Sequence, residues 1–244
     1  MMIKVVKAIE AVVCVVLISA TISLCSCENK VVSDLNTPIE HENISISLLS
    51  LFGDEENTYI VAEVKLSEND SVHEGKIDET IITGRLSGGY STNCIGYDDS
   101  KKTQIYLVHI NSSGKCKTKI DFMNYRSLSN PMNLIVKANW TFTVDLRKQN
   151  PLVNTVYVND DVISQIKVFE DGIIIVPAQE HTIEDLSNYK IEIKDQFDNS
   201  ASLLANSLSM DKCYLSFGCI LLDNSSNHSD INKLIIDEKE YLLK

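Results

Sequence analysis

Hydrophobic and polar residues alternate along much of the chain with the two-residue period of a β-strand. The clearest case is Leu134–Leu146, in which Trp140 and Phe142 fall on one face and Thr141 and Thr143 on the other. A strand that packs one face on a core and exposes the other shows this pattern. The segment is therefore predicted to be a half-buried strand.

Similar patterns predict strands over most of the remaining chain. The predicted segments are Asn57–Ser67, Gln104–Ile110, Thr155–Val158, Ile163–Glu170, Gly172–Ala178, Tyr189–Phe197, Cys213–Leu222 and Ile231–Leu243. Asp171-Gly172, between two apolar runs, predicts a two-residue hairpin turn. Helix is expected only as a turn near Ile183–Asn188 and over Ser202–Leu208. Many short strands separated by Asn, Asp, Ser and Gly turns indicate an all-β protein.

The strand pattern restarts after Pro151, which suggests a domain boundary. Residues 42–148 and 150–244 each approach the length of an immunoglobulin-like β-sandwich. We therefore predict two tandem immunoglobulin-like sandwiches. One continuous, larger sandwich is the alternative.

The first 26 residues have the pattern of a bacterial export signal. Lys4 and Lys7 precede an apolar run, Ala11–Leu24, that is too short to cross a bilayer as a helix. The sequence becomes polar at Glu28, and residues 27–41 are predicted to be a polar tether.

Leu24-Cys-Ser-Cys27 resembles the lipobox read by the lipoprotein signal peptidase, with small Ser26 directly before the cut. Cys27 is therefore predicted to be the lipidated residue. The alternative is that Ala11–Leu24 belongs to an ordinary cleaved signal or forms a short uncleaved anchor. Cys25 fits less well, because bulky Leu24 would then precede the cut. Two acyl chains on Cys27 would give durable anchoring on the extracytoplasmic face of the cell membrane.

The chain has 22 basic and 34 acidic residues, a net charge of −12. Removal of residues 1–26 leaves 20 basic and 33 acidic residues, a net charge of −13. Such a surface repels phosphate backbones, so nucleic acid is excluded as a partner. The expected partners are the membrane, through the lipid anchor, and an envelope protein or cell-wall component.

Four cysteines remain after Cys27, and disulfides form in exported proteins. Proximity in sequence favours the pairs Cys94–Cys116 and Cys213–Cys219, although three pairings are open. Buried free thiols are the alternative.

No motif of a catalytic or metal site stands out, and no cofactor is expected. The acidic turns Asp98-Asp-Ser, Asn159-Asp-Asp and Asp195–Asn199 offer oxygen ligands but lack the spacing of a calcium loop. Gly84–Gly89 lacks the Lys-Ser/Thr of a phosphate loop and is predicted to be a turn.

The chain also resembles the two-part extracytoplasmic region of membrane-anchored proteins in Gram-positive spore-formers. The resemblance spans about residues 42–244, on the segments Ile44–Leu49, Tyr59–Val64, Trp140–Val144 and Ile231–Tyr241. These regions have no assigned function, although some of the proteins carry a cytoplasmic anti-sigma-factor module. No cytoplasmic segment precedes the apolar run here, so direct sigma-factor control is not expected.

Together these observations predict a non-enzymatic surface lipoprotein that acts as an envelope binding or sensing module. The alternative is a cell-envelope enzyme or enzyme accessory with an unrecognised acidic site.

Overall fold

β-Strands form almost all of the regular structure, which confirms the predicted all-β class. The computed structural model describes residues 31–32, 35–112, 116–179, 181, 190–209, 215–223 and 231–243. Within these residues the helices are two single 3-10 turns, Leu146–Lys148 and Ser207–Ser209. None of the helices in these ranges is long and apolar enough to cross a membrane.

The strands in chain order are β1 Val31–Val32, β2 Ile39–His41, β3 Ile44–Gly53, β4 Thr58–Lys65, β5 Gly75–Thr83, β6 Tyr90–Asp98, β7 Thr103–Ile110, β8 Lys117–Ser127, β9 Leu134–Asp145, β10 Asn150–Tyr157, β11 Ile163–Phe169, β12 Gly172–Pro177, β13 Ile191–Asp195, β14 Leu203–Asn206, β15 Gly218–Leu222, β16 Ile231–Ile236 and β17 Lys239–Leu242. They form three sheets. The large sheet has the order β14-β15-β12-β11-β10-β3-β4-β7-β6, with β2 paired to β3. A four-stranded sheet has the order β1-β9-β8-β5, and a three-stranded sheet the order β13-β16-β17.

Three apolar clusters lie between and within these sheets. The first core joins the four-stranded sheet to β3, β4 and β7. The second core joins the three-stranded sheet to β11, β12 and β15. The third, which we call the shared core, lies on the opposite face of the large sheet.

The predicted face of β9 is confirmed, because Trp140, Phe142 and Val144 all lie in the first core. Trp140 is fully buried, and its indole Nε1 donates to the carbonyl of Ile44 at 3.4 Å. Thr141, expected to face solvent, is buried as well. Its hydroxyl donates to Asp121 at 2.5 Å, which satisfies both polar groups.

Several strands of the large sheet are apolar on both faces. In β4, Ile60 and Ala62 enter the first core, whereas Tyr59 and Val61 enter the shared core. In the same way, Ile174 of β12 enters the shared core and its neighbours enter the second core. Because both faces of these strands are buried, their sequences are nearly continuous runs of apolar residues.

The large sheet curls until it is nearly barrel-like, and its two edge strands, β6 and β14, come into contact. Gly96 of β6 allows this approach. A Cβ added at Gly96 would lie 2.8 Å from the Cβ of Ala205 on β14, closer than real side chains pack. The interior of the curled sheet is filled by the shared core.

The boundary predicted near residue 150 lies inside the large sheet. β3 and β10 pair in parallel, Asn150 opposite Phe52 and Pro151 opposite Gly53. The carboxylate of Asp171 reinforces the junction, since it accepts from the Ser50 hydroxyl and from the Asn150 amide, each at 2.8 Å.

The shared core contains side chains from both sides of this junction. Phe52, Tyr59 and Leu107 come from the first half, and Phe169 and Leu221 from the second. Two tandem immunoglobulin-like sandwiches are therefore not confirmed, because one sheet and one core are common to both halves. The domain limits 42–148 and 150–244 remain a prediction.

Two local expectations also differ from the structure. Ser202–Leu208, expected to be helical, forms β14 and the start of a 3-10 turn. Ile231–Leu243 forms a hairpin of β16 and β17, because Asp237 and Glu238 adopt positive φ angles of 49° and 69° and reverse the chain. The turn expected at Ile183–Asn188 lies outside the described residues.

The shared core makes a prediction for the isolated fragment 150–244. Exposure of Phe169, Ile174 and Leu221 would cost roughly 5 kcal/mol or more, comparable with the whole stability of a small domain. We expect the fragment to bind a hydrophobic dye and to unfold without a cooperative thermal transition, whereas residues 28–244 unfold cooperatively. Cooperative unfolding of the fragment at the midpoint of the longer chain would instead support two independent domains.

Candidate functional site

An open depression of about 490 Å³ lies where β2, β3 and β4 meet. It is lined by three carboxylates, Glu40, Glu42 and Glu63, together with Lys65 and the hydroxyl of Ser45. Neighbouring amide and hydroxyl groups complete a polar wall. The depression therefore offers mainly acceptor oxygens to a ligand.

Strand register places these side chains together. Glu40 pairs with Ser45 across β2 and β3, and Ser45 pairs with Lys65 across β3 and β4. Glu63 lies on the same face of β4 as Lys65, two residues away, and the alternate residue Val64 enters the first core. Glu42 occupies the β2–β3 turn with a positive φ of 52°.

This face of β4 continues into the shared core, since Tyr59 and Val61 precede Glu63 and Lys65 at two-residue intervals. The depression thus lies at one rim of the curled sheet. The sequence alternation around Ala62 and Val64 predicted which face of β4 is polar, but it gave no sign that β2 would add Glu40 and Glu42.

The opposite rim carries a nearly buried ion pair between the two halves of the chain. Lys167 Nζ lies 2.7 Å from the carboxylate of Asp54, and the side chains are only 16% and 9% exposed. Burial alone would raise the pKa of Asp54. The hydrogen bond from Lys167 and those from the backbone N–H groups of Glu56 and Asn57 outweigh burial and hold that pKa below its usual value.

His109 lies close to this ion pair, and its position is fixed by ring contacts and by a hydrogen bond. Its ring stacks on Tyr59 with centroids 5.1 Å apart and meets the edge of Phe217 at 5.0 Å. Nε2 donates to the amide oxygen of Asn57 at 2.8 Å. Burial lowers the pKa of His109, so the ring is neutral at pH 7 and acts as a structural group.

The predicted cysteine sites are only partly described. Cys27 and Cys213 lie outside the described residues. Cys94 and Cys116 are free thiols, so the predicted bridge between them is not formed. The Cys94 thiol donates to the carbonyl of Gly96 at 3.6 Å, and the Cys116 thiol to that of Arg85 at 3.5 Å.

The Cys94 thiol is not activated as a nucleophile. Burial raises the pKa of Cys94, which keeps its thiol protonated at pH 7. Cys219 is fully buried in the shared core, as expected for a small apolar side chain.

In each of the three acidic turns, the first Asp accepts hydrogen bonds from within the protein. Asp98 accepts from the Ser100 hydroxyl at 2.6 Å and from the backbone of Lys101, which lowers its pKa to about 2. Asp195 accepts from the backbone N–H groups of Phe197 and Asn199.

The Asp160 carboxylate binds Lys239 and accepts from Tyr241 at 2.9 Å, and it links the β10–β11 turn to β17. The hydrogen bonds from Lys239 and from the backbone N–H of Val162 lower its pKa. Across the described ranges no three His, Cys, Asp or Glu side chains are grouped to hold a metal ion. Residues 84–89 connect β5 to β6, as a turn does.

Comparisons with known proteins add one structural neighbour. No known protein family matches the chain, and no curated protein matches it in sequence. The fold is similar to the crystal structure of the conserved domain protein from Bacillus anthracis, at 11% identity and a TM-score of 0.36. That alignment covers 86% of this chain and 78% of the neighbour.

The Asp54–Lys167 pair gives a stability prediction. Lys167→Met leaves Asp54 nearly buried without its cation, which should lower the free energy of unfolding at pH 7 by about 3 kcal/mol. Lys101→Met is the matched control, because Lys101 pairs with Asp98 at an exposed site and should change stability by less than about 0.5 kcal/mol. Urea unfolding of both variants measures the difference.

The same variant tests the pH dependence. The pKa of Asp54 is lowered in the folded protein, so its contribution is complete above the unfolded value of about 3.9 and is lost as pH falls through the folded value. In Lys167→Met the fall in stability on acidification should shrink or reverse. An unchanged acid profile together with wild-type stability would mean that the pair contributes nothing.

Proposed function

We propose that this chain is an exported lipoprotein, anchored through Cys27 to the extracytoplasmic face of the cell membrane, that binds a component of the cell envelope. The export signal and the Leu24–Cys27 lipobox support the location. The net charge of −13 after residue 26 supports a partner other than nucleic acid.

The acidic depression between β2, β3 and β4 is the observation that carries the binding function. Glu40 and Glu42 are exposed and Glu63 is half-buried, whereas one Asp of each acidic turn (Asp98, Asp160 and Asp195) accepts hydrogen bonds within the protein. Acceptor oxygens in a shallow, open site suit a ligand that presents cationic or hydroxyl groups. A basic segment of an envelope protein and a cell-wall glycan carry such groups.

An enzyme or enzyme accessory is the second candidate, favoured by the convergence of three carboxylates. Acid-base chemistry requires two groups with separated pKa values beside a substrate. His109, a half-buried histidine with a lowered pKa, lies at the other rim and is bonded to Asn57. Binding is therefore the better supported function.

We further propose that the chain consists of two immunoglobulin-like halves, which are joined edge to edge through the large sheet. One half would consist of the four-stranded sheet with β2, β3, β4 and β7. The other would consist of the three-stranded sheet with β11, β12 and β15. The separate first and second cores support this division.

Lipidation predicts a simple labelling result. Cells grown with a fatty-acid analogue should label the wild-type protein and retain it in the membrane fraction. Cys27→Ala should remove both the label and the retention, whereas Cys25→Ala should leave both unchanged. Labelling that persists in Cys27→Ala would refute this anchor.

The depression predicts a second result. In a pull-down from intact envelopes, the double variant Glu40→Gln with Glu63→Gln should retain its partner about tenfold less well, because charged hydrogen-bond acceptors are lost. Glu238→Gln, in the exposed β16–β17 turn, is the matched control and should bind as wild type does. Equal capture by all three proteins would exclude the depression as the binding site.

A further inference from the structure

The turn between β8 and β9 presents a group of exposed apolar side chains. Met132 is 89% exposed, and Leu128, Leu134 and Ile135 are each about 40% exposed. We call residues 128–135 the apolar tip. Single exposed apolar residues are ordinary, but four within eight residues at the end of a hairpin form a patch.

The apolar tip is also free of charge in a strongly acidic protein. No charged residue occurs between Arg126 and Lys137, so ten consecutive residues are neutral and both flanking residues are basic. Acidic side chains elsewhere repel anionic headgroups. The ten residues of this hairpin end add no acidic group of their own to that repulsion.

Polar backbone groups of the tip are largely bonded within the protein. The N–H of Leu128 donates to the carbonyl of Glu74 at 2.8 Å, and that of Asn133 donates to Asn130 at 2.8 Å. The N–H of Met132 donates to the Asn130 side chain at 3.3 Å.

Pro131 has no N–H, and its carbonyl accepts from the guanidinium of Arg126. The carbonyl of Asn133 accepts from the N–H of Ser127 at 3.0 Å. Because these backbone groups are already bonded within the protein, the turn gives up few hydrogen bonds to water when it moves to a lipid surface.

Strand direction relates the tip to the lipid anchor. β1 and β9 are parallel, with Val31 opposite Thr141, so the N-terminal end of β1 points toward Leu134 and the tip. From Thr141 to Leu134 is seven residues, or about 23 Å of strand. Cys27 precedes Val31 by four residues, which span at most about 14 Å. Leu134 therefore lies at least about 9 Å (23 minus 14) beyond Cys27 along the strand direction, so a membrane surface at the level of Cys27 would meet the tip at the depth of an interfacial contact.

We propose that the apolar tip inserts into the same lipid leaflet that holds the acyl chains, as a second membrane contact that fixes the orientation of the protein. The inference rests on the proposed lipid anchor at Cys27. Insertion of such side chains to about 5–10 Å matches the depth of interfacial membrane contacts.

The test places a tryptophan in the tip of the full chain. The acylated Met132→Trp protein is reconstituted into vesicles of phosphatidylethanolamine and phosphatidylglycerol that contain lipids brominated near the headgroup end of the acyl chain. Trp140 is buried and gives a constant background, measured with the wild-type protein. We expect the added emission to shift to shorter wavelength and to be quenched at least about twofold.

Tyr157→Trp is the matched control. Tyr157 is 78% exposed but lies at the opposite end of the strands, because β10 continues beyond the end of β3. Its replacement should give an emission that is neither shifted nor quenched. Quenching in both variants, or in neither, would overturn the proposal. A shift without bromine quenching in Met132→Trp would also overturn it, because that result indicates cover by protein instead of lipid.

A second measurement separates the tip from the anchor. Unacylated Cys27→Ala protein should still bind these vesicles weakly, and addition of Leu128→Glu with Met132→Glu should reduce that binding roughly tenfold. Circular dichroism confirms that the variant is folded. Binding unaffected by the two glutamates would refute tip insertion while leaving lipidation intact. Absence of fatty-acid labelling from the wild-type protein, or labelling that persists in Cys27→Ala, would refute the anchor alone.

Discussion

Burial of the large sheet on both faces is the constraint on which the rest of the structure depends. A sheet with one solvent-exposed face needs only one layer packed against its other face. Strands such as β4 and β12, however, carry apolar side chains on both faces of the sheet. The four-stranded and three-stranded sheets cover parts of one face. The other face can be removed from water only if the sheet curls on itself, and the shared core is the result. Curling in turn determines where the polar rims lie.

The two rims have different chemistry because they differ in access to water. At the rim with Asp54 and Lys167, the charges are nearly buried and must pair to remain charged. At the rim with Glu40 and Glu42, the side chains are exposed, so their carboxylates can remain charged without a partner within the protein. One end of the curled sheet thus stabilises the junction of the halves, and the other is available to a ligand.

Sequence alternation predicted individual strands that have one polar face, but it did not predict which strands pair with one another. β9 was predicted from Trp140 and Phe142, because local periodicity depends on nearby residues. The β11–β12 hairpin was predicted one residue too far along the chain, since Glu170 and Asp171 connect the strands and Gly172 begins β12. The pairing of β3 with β10 depends on residues about one hundred positions apart and leaves no local signal. Pro151 is a typical linker residue, yet here it lies in a strand, paired over only two residues with β3. The grouping of carboxylates in the depression likewise leaves no local signal in the sequence. It depends on the pairing of β2, which has only three residues and whose register decides where Glu40 lies.

The contact of Gly96 with Ala205 has a consequence for solubility. Edge strands expose backbone groups that can pair with another molecule and seed aggregation. In this fold the two edges of the large sheet, β6 and β14, shield one another through side-chain packing. A larger residue at Gly96 would separate them and expose both edges of the large sheet at once. Gly96, which has no side chain beyond hydrogen, therefore limits sheet-to-sheet association between neighbouring copies of the protein.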